Sequence, residues 1–270
     1  MIENIRAAVA YITSLYPENP EIGIVLGSGL GSFVSEIDIV KEIPYQDIPH
    51  FPVSTVEGHI GKLILGNLSG KRVVAMAGRF HNYEGYTAQE IVFPIRVMKY
   101  LGIKKLLLSN AAGAVNPNFY VGDLMIINDH VSQFVPNPLI GKNQIELGPR
   151  FPDMSEPYHL SMIQMAKEIA RSSNIEIKEG VYISVTGPTF ETKAEYRMIR
   201  AIGGDAVGMS TVQEVITAVH MGLPCFAVSV ITDKWVDGHE EPVSHEDVLK
   251  AAKAAEPKLT YIFKELVAKV

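Results

Sequence analysis

The sequence predicts a single-domain α/β fold, a mixed central β-sheet flanked by helices. Three observations carry this expectation. Short β-branched apolar runs alternate with longer stretches of helical periodicity. The runs are continuously apolar rather than alternating, as expected of strands covered on both faces. No repeat, low-complexity tract or interdomain linker breaks the sequence, so residues 1–270 read as one domain.

Ile2, Ile5, Val9, Ile12 and Tyr16 recur at helical spacing and give the N-terminus a surface helix with one apolar face. Strands are expected at Ile22–Leu26, Leu63–Leu65, Val73–Ala77, Lys105–Ser109, Asp123–Ile127, Gly180–Val185, Ala206–Gly208 and Cys225–Ile231. Helices are expected near Ala88–Tyr100, His159–Ser173, Lys193–Ile202, Val212–Met221 and His245–Val267. The last opens on Ser244 and Asp247, a Ser-x-x-Asp start signal. Pro257 is expected to kink that helix or divide it in two. Two proline-punctuated stretches, Pro44 to Gly58 and Pro136 to Pro157, read as lids or contact surfaces.

Composition narrows the function classes. A 47% hydrophobic fraction excludes a disordered tail protein. The formal charge of −6 argues against a general nucleic-acid binder but not against a small anion, whose site depends on local donors. The single cysteine, Cys225, excludes an intrachain disulfide and reads as a buried hydrophobe in a reducing compartment. The N-terminus lacks the features of a signal peptide, and no apolar run approaches the ~20 residues of a membrane helix. The expectation is a soluble, cytoplasmic protein.

The residues just beyond each expected strand carry the chemical signal. The first strand runs into Gly27-Ser28-Gly29-Leu30-Gly31, and the third into Gly78-Arg79-Phe80-His81-Asn82-Tyr83-Glu84-Gly85-Tyr86. Others run into Asn110-Ala111-Ala112-Gly113, Thr186-Gly187-Pro188-Thr189-Phe190-Glu191-Thr192, Met209-Ser210-Thr211 and Thr232-Asp233. Ligands of α/β sheets sit outside the carboxyl ends of strands, so these ends are expected to share one pocket. The glycine turn lacks the spacing of a dinucleotide loop and the Lys of a Walker A loop. It still offers backbone N–H groups, a hydroxyl and a following helix N-terminus to an anion; a tight turn for helix–sheet packing is the alternative. Arg79 and His81 add a permanent cation and a titratable donor, though Arg79 alone fits a surface role equally well. Phe190 can stack on a flat ring, and Glu191 can accept N–H bonds from it. Tyr83, Met209 and His245 suit an apolar, hydroxyl-bonding sugar site. A metal is not expected: His239-Glu240-Glu241 and His245 lack H-E-x-x-H spacing, and no cysteine cluster exists. G-x-S-x-G is also absent, which leaves a serine hydrolase without support.

The set GSGLG (27–31), STVEGHIG (54–61), GRFHNYEGY (78–86), SNAAGAVNP (109–117), GPTFET (187–192) and VGMSTVQE (207–214) closely resembles the trimeric purine nucleoside phosphorylases. The resemblance runs in order over nearly the whole chain. It implies a homotrimer and reversible, phosphate-dependent cleavage of purine ribonucleosides and deoxyribonucleosides to base and pentose 1-phosphate. Phosphate is then a co-substrate and no cofactor is needed. By motif, phosphate is expected at Ser28, His59, Arg79, His81, the Ala111 backbone and Ser210, and the sugar among Tyr83, Met209 and His245. The purine is expected at Ala112, Gly113, Phe190, Glu191, Val207, Thr232 and Asp233. Catalytic work falls to His81, Glu191, Asp233 and His245.

Two departures stand out. Asp233 replaces the Asn usual in members acting on 6-oxopurines; it either accepts from a 6-amino group, widening the range toward adenosine, or is kept protonated by desolvation and donates to ring nitrogen seven. Leu147 is read as standing where relatives place a Phe that reaches into the neighbouring subunit. The related methylthioadenosine phosphorylases are the runner-up resemblance, and a nucleoside-binding protein without turnover is the non-enzymatic alternative.

Overall fold

A computed structural model describes residues 1–56, 59–236 and 243–270. Its frame is one nine-stranded sheet: β1 (Ile22–Leu26), β2 (Asp38–Pro44), β3 (Lys62–Leu68), β4 (Lys71–Ala77), β5 (Lys105–Ala114), β6 (Leu124–Val131), β7 (Ile177–Ser184), β8 (Ala206–Gly208) and β9 (Cys225–Lys234). The strands run in the order β2-β3-β4-β1-β5-β8-β7-β6-β9. β9 also pairs in parallel with β5, so the last five strands close a circuit and the first four form an open wing. β1 is parallel to β4 and β5, while β3–β4, β5–β8 and β6–β9 are antiparallel, giving the mixed sheet the sequence implies. Every residue of β1 is buried, consistent with its uninterrupted Ile-Gly-Ile-Val-Leu.

Seven helices pack around this frame: α1 (Ile2–Leu15), α2 (Ala88–Ile91), α3 (Phe93–Leu101), α4 (Leu160–Ser172), α5 (Lys193–Ala201), α6 (Val212–His220) and α7 (His245–Lys269), counted among the described residues. Ile5, Ala8 and Ile12 form the buried stripe of α1, which lies against α3. Between Val131 and Leu160 the chain has neither helix nor strand. No helix among the described residues is long and apolar enough to cross a membrane. Cys225 is buried, as expected.

Several expectations need correction. β2 was not expected, because it lies at the sheet edge and is largely exposed, with no apolar run to announce it. Asn110–Gly113 and Thr232–Asp233 belong to the ends of β5 and β9 rather than to loops beyond them. The glycine turn leads into a 3-10 segment, Gly31–Glu36, so it lacks the α-helical N-terminus expected of it. The stretch Ala88–Tyr100 is two helices, with Pro94 in the first turn of the second, where a missing N–H costs nothing. Pro257 does not divide α7, which continues from His245 to Lys269. Pro257 and Lys253, four residues before it, are both exposed, so water can satisfy the carbonyl the proline leaves free.

Candidate active site

The turns after β1 and β4 and the last residues of β5, β8 and β9 line a cavity of about 420 Å³. Every site residue expected from the sequence lines it except His59, which stands directly behind Ser28. The arrangement divides into an end rich in donors and an end built around two acids.

At the donor end, Gly29 adopts φ +75°, and a Cβ there would fall 2.7 Å from the Cβ of Ala252 on α7. Only glycine lets the turn lie this close to the helix. Ser28 Oγ is 3.2 Å from His59 Nε2, while His59 Nδ1 lies 3.1 Å from the Arg79 carbonyl and 3.3 Å from its amide. Burial, helped by the neighbouring His81 and Arg79, pushes the His59 pKa down to about 3, so the ring is neutral.

Arg79 is 1% exposed. Its Nε and Nη2 donate to the Glu214 carboxylate at 3.2 and 2.8 Å, and Nη1 donates to the Ser109 carbonyl. A guanidinium has five N–H groups, so one on each terminal nitrogen remains for a ligand. His81 is held by a carboxylate too, with Nδ1 3.0 Å from Glu84 Oε1, although burial draws its pKa below the ordinary value. Glu84 also accepts from the backbone of His81 and Thr55 and from the Thr55 hydroxyl. Burial raises the Glu84 pKa, but these bonds more than offset it and hold the carboxyl below its ordinary value. His59, His81 and Tyr83 form a stacked column with centroid spacings of 5.5 and 4.7 Å.

Ser210 closes this end. Its neighbour Thr211 has φ +70°, a strained conformation for a β-branched residue, and is held by a 2.8 Å bond from Asn110 Nδ2. Such strain persists where the surroundings over-determine it, and here it falls beside the cavity. Glu84, Asn110 and Glu214 fall in motifs the sequence singles out, but it assigns them no role. Each works by pairing with a residue distant in sequence or by shaping a turn, and no spacing rule reports that.

In the acid end, β9 carries one residue more than β5: Ala112 faces Ile231, Gly113 faces Asp233, and Thr232 is the extra residue. Bulges of this kind re-aim side chains next to sites. The Thr232 hydroxyl donates to Asp233 Oδ1 at 3.0 Å. A Cβ at Gly113 would lie 2.5 Å from Asp233 Oδ2, so any side chain there would displace the carboxyl. Burial raises the Asp233 pKa; burial, with the Asp233 charge adding to it, raises that of Glu191. Val207 and Ala112 supply an apolar wall, and Phe190 stands at the rim, 41% exposed. Tyr83, Met209 and His245, the first residue of α7, line the cavity with these two ends.

Leu147 is not an outward-facing residue: it is 3% exposed and belongs to the core of its own chain. The apolar side chains this loop presents to solvent include Ile140, Ile145 and Phe151, which are 71%, 79% and 87% exposed, with Arg150 over the Phe151 ring at 5.6 Å. Among the described residues no group of His, Cys, Asp and Glu is arranged to hold a metal; His239, Glu240 and Glu241 lie outside them.

A profile of the Phosphorylase superfamily matches residues 21–268. The chain is 48% identical to purine nucleoside phosphorylase 1 of Geobacillus stearothermophilus, over 97% of this chain and 96% of that one. It is 43% identical to the bovine (Bos taurus) purine nucleoside phosphorylase, over 99% and 95% of the two chains. A crystal structure of Schistosoma mansoni purine nucleoside phosphorylase in complex with adenosine superposes with a TM-score of 0.95 at 40% identity, covering 100% of this chain and 98% of that one. With its fold, its cavity and these relatives in agreement, the chain belongs to the phosphorylase superfamily and, within it, to the purine nucleoside phosphorylases.

Proposed function

We propose that the chain cleaves the N-glycosidic bond of purine ribonucleosides and deoxyribonucleosides with inorganic phosphate, reversibly, releasing base and pentose 1-phosphate. The observation that carries this reading is one cavity with fixed donors at one end and two acids of raised pKa at the other. Phosphate is held by Ser28, the free N–H groups of Arg79, His81, the Ala111 backbone and Ser210, with His59 fixing Ser28 from behind. The sugar lies among Tyr83, Met209 and His245. The purine lies between Ala112, Gly113, Val207, Thr232 and Phe190, with Glu191 and Asp233 at its polar edge.

No covalent nucleophile is needed. Phosphate attacks the anomeric carbon as the glycosidic bond breaks, and its charge beneath the sugar stabilises the oxocarbenium character that develops. The purine leaves with negative charge, so a protonated Asp233 donating toward ring nitrogen seven lowers the barrier. His81 orients the attacking phosphate, Glu191 accepts N–H groups of the base, and His245 bonds the 5′-hydroxyl. Ionised, Asp233 accepts from a 6-amino group instead, which widens the range from 6-oxopurines toward adenosine. The same residue is what favours the runner-up, a methylthioadenosine phosphorylase; His245, a partner for a free 5′-hydroxyl, favours the nucleoside enzyme.

The reaction calls for no metal or cofactor. A cytoplasmic homotrimer is part of the same proposal, with the exposed Ile140, Ile145 and Phe151, rather than the buried Leu147, placed to reach a neighbour. The test is base release from inosine, guanosine, adenosine and methylthioadenosine, with and without phosphate. Release only with phosphate, fastest on inosine or guanosine, is the expected outcome. Release without phosphate makes the protein a hydrolase, and binding without release makes it a non-catalytic receptor.

A further inference from the structure

A second cavity, of about 50 Å³, lies between the 136–157 loop and α2, α3 and α6. Arg96 and Lys142 give its lining positive charge, Gln89, Asn143 and Gln144 give it amides, and no Asp or Glu lines it. Arg96 is 3% exposed, and its Nε and Nη1 are buried without a hydrogen-bond partner. Burial brings its pKa down to about 10, which leaves the guanidinium charged at neutral pH. Beside it His220 is also buried, its ring set against the backbone of Gly148 and Pro149.

Several of the loop's own carbonyls are engaged by donors other than Arg96. Gln89 Nε2 donates to the Ile140 carbonyl at 3.2 Å, and Asn143 Nδ2 donates to that of Gly148 at 3.2 Å. Arg150 Nη1 donates to the carbonyls of Leu139 and Gly141. A buried cation without a counter-charge is costly, and this protein pairs its other buried arginine, Arg79, bidentately with Glu214. The cavity in front of Arg96 is where the missing negative charge belongs. One water needs roughly 10–15 Å³ of such space, so this cavity takes a body the size of several waters.

We propose that the Arg96–His220 cavity is a second anion site, taking a small tetrahedral oxyanion of the phosphate or sulfate class. Arg96 meets the ion with its unpartnered guanidinium N–H groups, which are charged donors on a planar frame. His220 and the amides of Gln89, Asn143 and Gln144 complete the shell. The site is separate from the catalytic cavity and shares no lining residue with it.

Equilibrium dialysis with radiolabelled inorganic phosphate tests this on the intact protein. Arg96→Met is expected to bind one phosphate fewer per chain than the wild type, with turnover at saturating phosphate unchanged. Arg96→Lys keeps the charge but not the fork and is expected to weaken the same site by about tenfold or more. If Arg96→Met does not fold, Arg96→Lys carries the test alone. Equal phosphate counts and affinities in wild type and variants overturn the proposal. So does a variant that binds as many phosphates but sediments as a smaller species, because a carboxylate from a second copy then fills the cavity.

Discussion

The two ends of the catalytic cavity use charge in opposite ways. At the donor end the charged and polar groups already have partners: Arg79 is ion-paired with Glu214, and His81, its pKa lowered by burial, is hydrogen-bonded to Glu84. The neutral His59 braces Ser28, so the end is wired before any ligand arrives. At the acid end two carboxyls share a buried space, and burial favours their protonated forms. A preorganised cradle suits a ligand whose charge stays constant, such as an anion. A pair of acids with raised pKa suits a ligand that gains or loses a proton, such as a departing base.

Removing a member of the wired end should cost folding first. Glu214→Ala leaves Arg79 buried without its counter-ion, and denaturant unfolding should show a loss of about 3–5 kcal/mol. A loss under 1 kcal/mol would mean the pair contributes little. Removing a member of the acid end should cost chemistry instead. Asp233→Ala is expected to lower kcat/KM for inosine by about 10²–10³-fold while leaving the KM for phosphate within about twofold. An equal rise in both KM values would erase the division between the ends.

A subtler change separates acceptance from donation. Asp233→Asn should raise the inosine-to-adenosine ratio of kcat/KM by about tenfold, since an amide cannot become the pure acceptor that a 6-amino group needs. An unchanged ratio would remove Asp233 from specificity. Ser28→Ala should raise the KM for phosphate by about tenfold, the worth of one hydrogen bond to a charged ligand, and move the nucleoside KM less. The reverse order would reassign the glycine turn.

The smallest effect is on the pH dependence of stability. The folded Asp233 pKa lies above its unfolded value, so between the two the folded state holds the extra proton and stability falls as pH rises. Asp233→Asn should therefore be more stable than wild type at neutral pH, with the gain fading as pH falls through the raised folded pKa and gone below the ordinary carboxylate range. A gain that persists undiminished in acid would point to packing rather than ionisation.

Legibility in the sequence followed burial. The inner strands β1, β4, β5 and β9 announce themselves as apolar runs, whereas edge strand β2 alternates charge and apolarity with little burial and gives no such signal. Pro94 reads as a helix residue by periodicity, yet it starts a new helix. The site motifs were legible because they cluster after strands, and their residues do line one cavity. Pairing across the chain stayed hidden: Glu214 lies 135 positions from Arg79. That Leu147 turns inward was not legible either, because which apolar residues of a loop are buried is decided by packing rather than order.

α7 touches both the donor turn and the cavity mouth. His245 and Val248 line the cavity, Ala252 backs Gly29, and Glu256 accepts from Ser32 Oγ and the Phe33 amide. At about 1.5 Å per residue, His245 and Ala252 are set roughly 10 Å apart along one rigid rod. The helix is thus a gauge that fixes how far His245 stands from the Ser28 turn. Point changes on its outer face should leave that spacing alone. Inserting a single residue between Val248 and Ala252 would rotate one contact by about 100° relative to the other, and no local repacking could restore both.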